Sequence, residues 1–147
     1  MEVYRITTLK WADSLTASGR AARWNSHRRY VIYTAASRAL ACLENVVHRS
    51  GEGYDHLFRT MRIDIPDSLA IDRVTMDQLP EDWSSVANYR LLQTLGNNWL
   101  DAGTTAVLRV PSAIIHYEFN YLLNPQHPDF SQIKLIGTEP FRFDQRL

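Results

Sequence analysis

Residues 30–48 have the sequence YVIYTAASRALACLENVVH, which predicts a strand leading directly into a helix. Residues 30–34 are β-branched or aromatic, a composition typical of a strand that can be buried on both faces. Ser37 is a good helix N-cap, and Gly51 is a stop signal. Between them, apolar residues recur at helical spacing up to about residue 49: Ala39, Leu40, Leu43, Val46 and Val47.

Two polar side chains of this unit are candidates for chemistry. Glu44 lies one residue after Leu43, at the edge of the apolar stripe rather than on the solvated face. Such a carboxylate is either a hydrogen-bonded structural acid or a site acid, and periodicity alone favours the structural role. Strand alternation places Val31 and Tyr33 on one face, so Tyr33 is predicted to leave the sheet near the start of the helix. Its commoner role is that of an ordinary core tyrosine.

The rest of the chain predicts several more strands and one long helix. The helix covers residues 86–100 and ends near Gly103. The predicted strands are residues 3–7, 57–65, 69–74, 106–110, 133–136 and 141–143, with a polar turn at 124–129. Since strands and helices do not alternate regularly and no linker divides the chain, we predict one α+β domain over residues 1–147.

Composition limits the class of protein. The 147 residues contain 16 Lys+Arg and 16 Asp+Glu, and 45% are hydrophobic, enough for a real core. A balanced charge argues against a generic nucleic-acid binder, which gains most of its affinity from Lys and Arg on phosphates. The sequence shows neither an apolar leader nor an apolar run long enough to cross a bilayer. We therefore expect a cytoplasmic protein without membrane or direct nucleic-acid binding.

The charges are segregated along the chain. No acid lies between Asp13 and Glu44, whereas five arginines do: Arg20, Arg23, Arg28, Arg29 and Arg38. Residues 64–82 reverse the balance, with Arg73 the one cation among six acids. Arginine offers a planar fork of donors suited to phosphate, so the first stretch is the better place for an anionic ligand.

Several familiar catalytic motifs are missing from the sequence. It contains no P-loop, no paired-His zinc helix, no Gly-rich dinucleotide turn and no Gly-flanked nucleophilic serine. The single cysteine, Cys42, cannot form an internal disulfide or supply a zinc cluster, and its place in an apolar helix favours a buried structural thiol. We predict no metal site.

Five segments, in this order, resemble the RES-domain family, the toxins of bacterial Xre-RES toxin–antitoxin pairs. They are Gly19-x-x-x-Arg23-Trp24-Asn25, VIYTA at residues 31–35, Ala41-x-x-Glu44, Val110-Pro111-Ser112, and Asn120-x-x-x-Asn124-Pro125-x-His127-Pro128. The resemblance extends over nearly the whole chain, from Tyr4 and Arg5 to the last strand. Each piece is short, and their order and spacing together carry the similarity.

The resemblance implies a fold similar to the core of the ADP-ribosyltransferase toxins, and a toxin that consumes NAD as a substrate and needs no cofactor. The expected reaction cleaves the nicotinamide–ribose bond, as a glycohydrolase or a phosphorylase, and arrests growth. The alternative is an ADP-ribosyltransferase that modifies a protein. The resemblance also implies a cognate Xre-family antitoxin as partner, in a hetero-oligomer, or a homodimer of the toxin itself.

The family's catalytic residues fall on Arg23, Tyr33, Glu44 and Ser112. The predicted NAD-binding residues are Arg5, Arg23, Arg28, Tyr33, Ser112 and Asn120. These residue types suit the chemistry, because a carboxylate stabilises an oxocarbenium-like centre and arginine grips a pyrophosphate. Tyr33 can stack on the nicotinamide or the ribose.

Some alternatives remain open at the level of sequence. Ser112 either bonds the substrate or caps a turn, and the turn around Asn124 and His127 either touches substrate or is a structural corner. Trp24 and Trp99 are expected in the core or in a pocket wall. The whole chain has two rival interpretations: a non-enzymatic binding module that uses the arginine-rich loop at residues 19–25, and an inactive member of the family.

Overall fold

The fold is built around a seven-stranded β-sheet. The computed structural model describes residues 1–48 and 57–147. The strands are β1 (Glu2–Thr8), β2 (Ile32–Ala35), β3 (Phe58–Asp64), β4 (Ile71–Arg73), β5 (Val107–Pro111), β6 (Phe119–Leu123) and β7 (Lys134–Phe141). The α-helices are α1 (Arg38–His48) and α2 (Tyr89–Ala102). The spatial order is β4-β5-β6-β2-β1-β3-β7, in which only the β4–β5 pair is parallel. This mixed sheet confirms the α+β class.

The predicted strand-to-helix unit is present, with shifted ends. β2 begins at Ile32 rather than at residue 30, where the tyrosine is partly exposed. Ser37 caps α1 as predicted, since its hydroxyl accepts a hydrogen bond from the Leu40 amide. The helix is described to His48, and the predicted stop at Gly51 lies outside the described residues. α2 ends where predicted, because Gly103 takes the left-handed conformation of a C-cap, with φ of 60°.

Two strand predictions were wrong. Residues 133–136 and 141–143 were predicted as two separate strands, but the structure has one strand, β7, which runs from Lys134 to Phe141. Pro140 is tolerated there because β7 is an edge strand, where one face of the backbone needs no partner. β6 was not predicted at all, since the polar Asn120 near its start breaks the apolar pattern.

Both helices pack on the same face of the sheet. Leu40 and Ala41 of α1 pack with Ile6 and Ala35. α2 packs through Leu92 and Trp99 in a cluster that also holds Trp24, Leu108, Val110 and Leu122, with Tyr33 against it. Since Tyr33 and Ala35 are two residues apart on β2, they point to the same face. The opposite face of the sheet contributes side chains to a separate apolar cluster, which contains Val3, Ile32, Ile63, Val107 and Leu123.

The sheet is incompletely closed between β1 and β2. β1 pairs with β3 along its whole length, but its only registered pair with β2 joins Tyr4 to Ala35. The two strands are therefore paired at one position only among the described residues. This opening is where the candidate site lies. Among the described residues, no helix has the length and apolar character needed to cross a membrane.

Candidate active site

A cavity of about 180 Å³ occupies the opening between β1 and β2. Its walls come from four elements: β1 contributes Arg5, β2 contributes Tyr33, α1 contributes Glu44 and His48, and β6 contributes Asn120. The predicted site residues Arg5, Tyr33, Glu44 and Asn120 are therefore brought together from distant parts of the sequence. An acidic residue, Glu44, and a basic residue, Arg5, therefore line the same cavity.

Glu44 is held by two hydrogen bonds to the same carboxylate oxygen. The Ser112 hydroxyl donates to Oε1 at 2.9 Å, and the Asn120 amide Nδ2 donates to Oε1 at 2.7 Å. The other oxygen, Oε2, lies 3.5 Å from Nε2 of His48, one helical turn further along α1. The side chain is 22% exposed. Glu44 is thus hydrogen-bonded and also accessible from the cavity, and its role as a site acid stays a prediction.

The surroundings of Glu44 favour its charged form. Burial acts to raise the pKa of Glu44, but the His48 imidazole, the Asn120 amide and the Ser112 hydroxyl act against it and lower the pKa below the ordinary value. The group is therefore a carboxylate at neutral pH. Its charge is fixed in one orientation by donors on β6 and on the turn after β5.

Ser112 is buried completely and acts in two directions. Its hydroxyl donates to Glu44, and it accepts hydrogen bonds from the backbone amides of Ile114 at 3.1 Å and Ile115 at 3.2 Å. Ser112 thus caps the turn that leads from β5 towards β6 and also positions Glu44. It does not line the cavity, and its direct contact with a substrate stays a prediction.

Tyr33 connects the cavity to the arginine-rich loop. Its side chain lines the cavity, while its hydroxyl donates to Oδ1 of Asn25 and accepts from the backbone amide of Trp24 at 3.2 Å. Burial raises the pKa of Tyr33 well above its ordinary value, and the hydrogen bond from Trp24 opposes this. Tyr33 is consequently a neutral phenol whose oxygen is engaged with the loop, leaving the ring as the part available to a ligand.

We expect Tyr33→Phe to destabilise the fold by about 1–3 kcal/mol, because Asn25, which is 1% exposed, loses the donor to its Oδ1. Chemical denaturation followed by tryptophan fluorescence measures this change. Tyr117→Phe is the matched control, since Tyr117 is 95% exposed and should change stability little. Equal stability of the two variants would contradict the assignment of the Tyr33 hydroxyl to the loop.

Arg23 lies beside this loop contact rather than in the cavity wall. Its guanidinium donates to the Ser84 carbonyl at 2.8 Å and lies over the ring of Tyr89 at 4.7 Å. Burial is the main cause that raises the pKa of Tyr33, and the positive charge of Arg23 opposes it. Arg23 does not line the cavity that contains Glu44, and a direct role for Arg23 in catalysis or NAD binding stays a prediction.

The two other predicted arginines differ in position. Arg5 lines the cavity, and its side chain has no hydrogen bond or ion pair within the described part of the chain. Burial lowers the pKa of Arg5, as expected for a guanidinium partly removed from water. Arg28 lines a different cavity of about 170 Å³, with Tyr30, Asp101 and Gln126. The structure does not bring Arg28 to Glu44.

The Asn124–His127 turn has the structure of a corner. Oδ1 of Asn124 accepts from the Gln126 amide, and Nδ1 of His127 accepts from the Asp129 amide while Nε2 contacts the Gly103 carbonyl. Trp24 and Trp99, 2% and 6% exposed, belong to the core as expected. Cys42 is half-buried and packs at the edge of the α1 cluster.

Sequence reasoning missed His48 as a site residue. The signal was present, because His48 follows Glu44 by four residues on a helix and must share its face. Within residues 1–48 and 57–147, no group of three His, Cys, Asp or Glu side chains could hold a metal ion.

Comparison with known proteins supports one family. Residues 2–144 match the family described as RES domain. The chain is 36% identical to "Prs ADP-ribosylating toxin" of Sphingobium sp. (strain YBL2), over 92% of this chain and 88% of that protein. It is 37% identical to "Toxin Res" of Pseudomonas putida, over 100% and 99%, and 34% identical to "Toxin Res" of Photorhabdus laumondii, over 100% and 97%.

The fold has a counterpart among solved structures. The crystal structure of the M. tuberculosis MbcT–MbcA toxin–antitoxin complex matches with a TM-score of 0.78, covering 96% of this chain and 84% of the matched chain. The sequence identity is 20%, so this likeness shows the fold.

Proposed function

This chain belongs to the RES domain family, and from that membership we propose a toxin that cleaves the nicotinamide–ribose bond of NAD in the Glu44 cavity. One observation carries the proposal: an ionised carboxylate, fixed by Ser112 and Asn120, shares a cavity with an arginine that has no described ion pair. NAD needs both charges, because its ribose becomes cationic during cleavage while its pyrophosphate is anionic.

The carboxylate addresses the chemical step. When the bond between ribose C1 and the nicotinamide nitrogen breaks, its electron pair neutralises the ring cation, so the leaving group needs no proton. Positive charge develops on the ribose, and Glu44 stabilises it electrostatically and accepts a hydrogen bond from a ribose hydroxyl. Water then adds to C1 and releases a proton, giving ADP-ribose, or inorganic phosphate adds to give a sugar phosphate.

The remaining cavity walls orient the substrate. Arg5 offers charge-assisted hydrogen bonds to the pyrophosphate, and Arg23 is a second candidate for this contact from outside the cavity wall. The Tyr33 ring supplies a flat surface for nicotinamide or ribose. Placing the two charges of the site at fixed positions aligns the scissile bond with Glu44, which lowers the entropic cost of reaching the transition state.

A second acceptor is supported by one relative. The Sphingobium protein is named an ADP-ribosylating toxin, and it covers most of this chain at 36% identity. The same cleavage with a protein nucleophile in place of water would transfer ADP-ribose to that protein. The Glu44 chemistry is common to both reactions, and the acceptor distinguishes them.

Incubation of purified, partner-free protein with NAD, with and without phosphate, tests the proposal. We expect nicotinamide release, and identification of the second product separates ADP-ribose, its phosphate adduct and a mass increment on added cellular proteins. Intact NAD under all these conditions would contradict the proposed function.

We also expect the toxin to act in the cytoplasm and to be held inactive by a cognate Xre-family antitoxin. The support is that three relatives are named toxins and that the matched structure is a toxin–antitoxin complex. Co-expression with a candidate Xre-family antitoxin, followed by copurification and a growth assay, tests this pairing.

Ser112→Ala should move the acid limb of the rate profile to higher pH. Loss of the Ser112 hydroxyl removes one of the groups that lower the pKa of Glu44, so the carboxylate becomes protonated at a higher pH than in the parent. The pH dependence of kcat for NAD cleavage measures this shift. Ser131→Ala is the control, because Ser131 is exposed and bonds only the Pro128 carbonyl among described residues. An unchanged acid limb would show that Ser112 does not act through Glu44.

A further inference from the structure

The two oxygens of the Glu44 carboxylate have different surroundings. Oε1 already accepts hydrogen bonds from Ser112 and Asn120, at 2.9 and 2.7 Å. Oε2 has a single described neighbour of this kind, Nε2 of His48, at the longer distance of 3.5 Å. Oε2 is therefore the carboxylate oxygen that remains available to a ligand in the cavity. The nearest described side-chain nitrogen to this oxygen is Nε2 of His48.

His48 is placed to act on Oε2 without being fixed in the core. It lies one helical turn after Glu44 on α1, lines the same cavity, and is 64% exposed to solvent. An imidazole is the one side chain type that ordinarily changes charge between about pH 5 and 8. Its exposure lets it exchange protons freely with water, and its distance lets its charge reach the carboxylate.

We propose that His48 is a positioning residue whose charge controls the availability of Glu44 Oε2 in the reaction. The neutral imidazole leaves Oε2 free to bind the ribose hydroxyl and stabilise the ribose cation. The protonated imidazole pairs with Oε2, competes with the hydroxyl and offsets the negative charge that the transition state needs. This inference rests on the proposed function, since it assigns a further residue to the same site.

Other charged and titratable groups line the cavity around His48. Glu44 faces it from α1 itself, Tyr4 and Arg5 from β1, and Tyr33 from β2. Arginine and tyrosine side chains ordinarily keep one charge state between about pH 5 and 8, and Glu44 is ionised there because its pKa is lowered. Among these side-chain types, the imidazole is the one that ordinarily changes charge in this range.

The expected effect is moderate because the pair is partly solvated. An exposed ion pair changes an equilibrium by about threefold, and added salt weakens it. We therefore expect kcat/KM of the parent for NAD to fall about threefold between pH 8 and pH 6, and this fall to shrink at high ionic strength. A purely structural histidine would give neither the pH dependence nor its sensitivity to salt.

Two substitutions separate charge from shape. His48→Gln, which stays neutral, should keep the high-pH value of kcat/KM at both pH values. His48→Lys, which carries a permanent charge at the same helix position, should show reduced kcat/KM at both. His27→Gln is the control, because His27 is exposed and lines neither described cavity, and it should keep the parent profile.

A spectroscopic readout makes the inference independent of turnover. The side-chain carboxyl carbon of Glu44, observed by NMR across the same pH range, should shift near neutral pH in the parent and remain constant in His48→Gln. Equal pH profiles and equal Glu44 shifts in the parent and His48→Gln would overturn the inference. Failure of the parent to consume NAD, with the Glu44 shift still dependent on His48, would instead overturn the proposed function alone.

Discussion

Glu44→Gln should reduce kcat for NAD cleavage by about a thousandfold, the loss typical of removing one preorganised electrostatic group from an active site. Glutamine has the shape of glutamate and can accept the same hydrogen bonds from Ser112 and Asn120 through its carbonyl oxygen. The substitution therefore removes the negative charge while keeping the geometry. Since that charge is needed mainly when the ribose becomes cationic, KM should change much less than kcat.

The control for this substitution is Glu81→Gln, the same chemical change at an exposed position outside the cavity. It should retain parental kcat and toxicity. A Glu44→Gln protein that is folded and still cleaves NAD at the parental rate would contradict the assigned role of the carboxylate.

The pH dependence of stability gives a second measurement on the same variant. Because the pKa of Glu44 is lowered in the folded protein, its ionised form stabilises the fold above its unfolded-state pKa of about 4.5, and this contribution disappears as the pH falls through the folded value. The stability difference between the parent and Glu44→Gln should therefore shrink on acidification below pH 4.5. Thermal unfolding of both proteins at several pH values measures it.

The sequence was informative where local pattern and final structure agree. The strand-to-helix unit at residues 30–48 follows from composition, capping and helical spacing, and Gly103 marked the end of α2. The grouping of Glu44 with Arg5, Tyr33 and Asn120 came instead from the family resemblance. Spacing alone cannot bring together residues separated by 76 positions, as Glu44 and Asn120 are.

The elements that sequence reasoning missed are those shaped by tertiary contacts. β6 carries the polar Asn120, whose side chain is placed by its hydrogen bond to Glu44 on another element. β7 continues through Gly137 and Pro140 because it pairs with β3 on one side only. His48 contacts Glu44 through helical geometry, but its relevance appears only once Oε1 is seen to be occupied by Ser112.

Gly96→Ala should disrupt the packing of α2 against the Trp24 backbone. Among the glycines whose surroundings the structure describes, we expect this substitution to destabilise the fold most. A Cβ atom at this position would lie 1.7 Å from the Trp24 carbonyl oxygen, a backbone atom that cannot rotate away. Alanine favours the helix over glycine by about 1 kcal/mol, whereas overpacking typically costs about 1–3 kcal/mol. Because the clash is with backbone, we expect a cost at the upper end of this range, a net loss of about 2 kcal/mol and a fall in Tm of about 6 °C.

The same substitution should also lower activity in the fraction that remains folded. A displaced Trp24 weakens the hydrogen bond from its amide to the Tyr33 hydroxyl and also shifts Arg23, which precedes it in the chain. The wall of the cavity formed by Tyr33 then loses its support. Gly137→Ala is the matched control, because the nearest atom to its Cβ would be the Arg62 guanidinium at 4.0 Å, and it should change Tm little. Calorimetry and NAD turnover on the two variants measure both effects. A Gly96→Ala protein as stable as Gly137→Ala would mean that α2 does not contact the Trp24 backbone, and the connection from α2 through Trp24 and Tyr33 to the cavity would then be wrong.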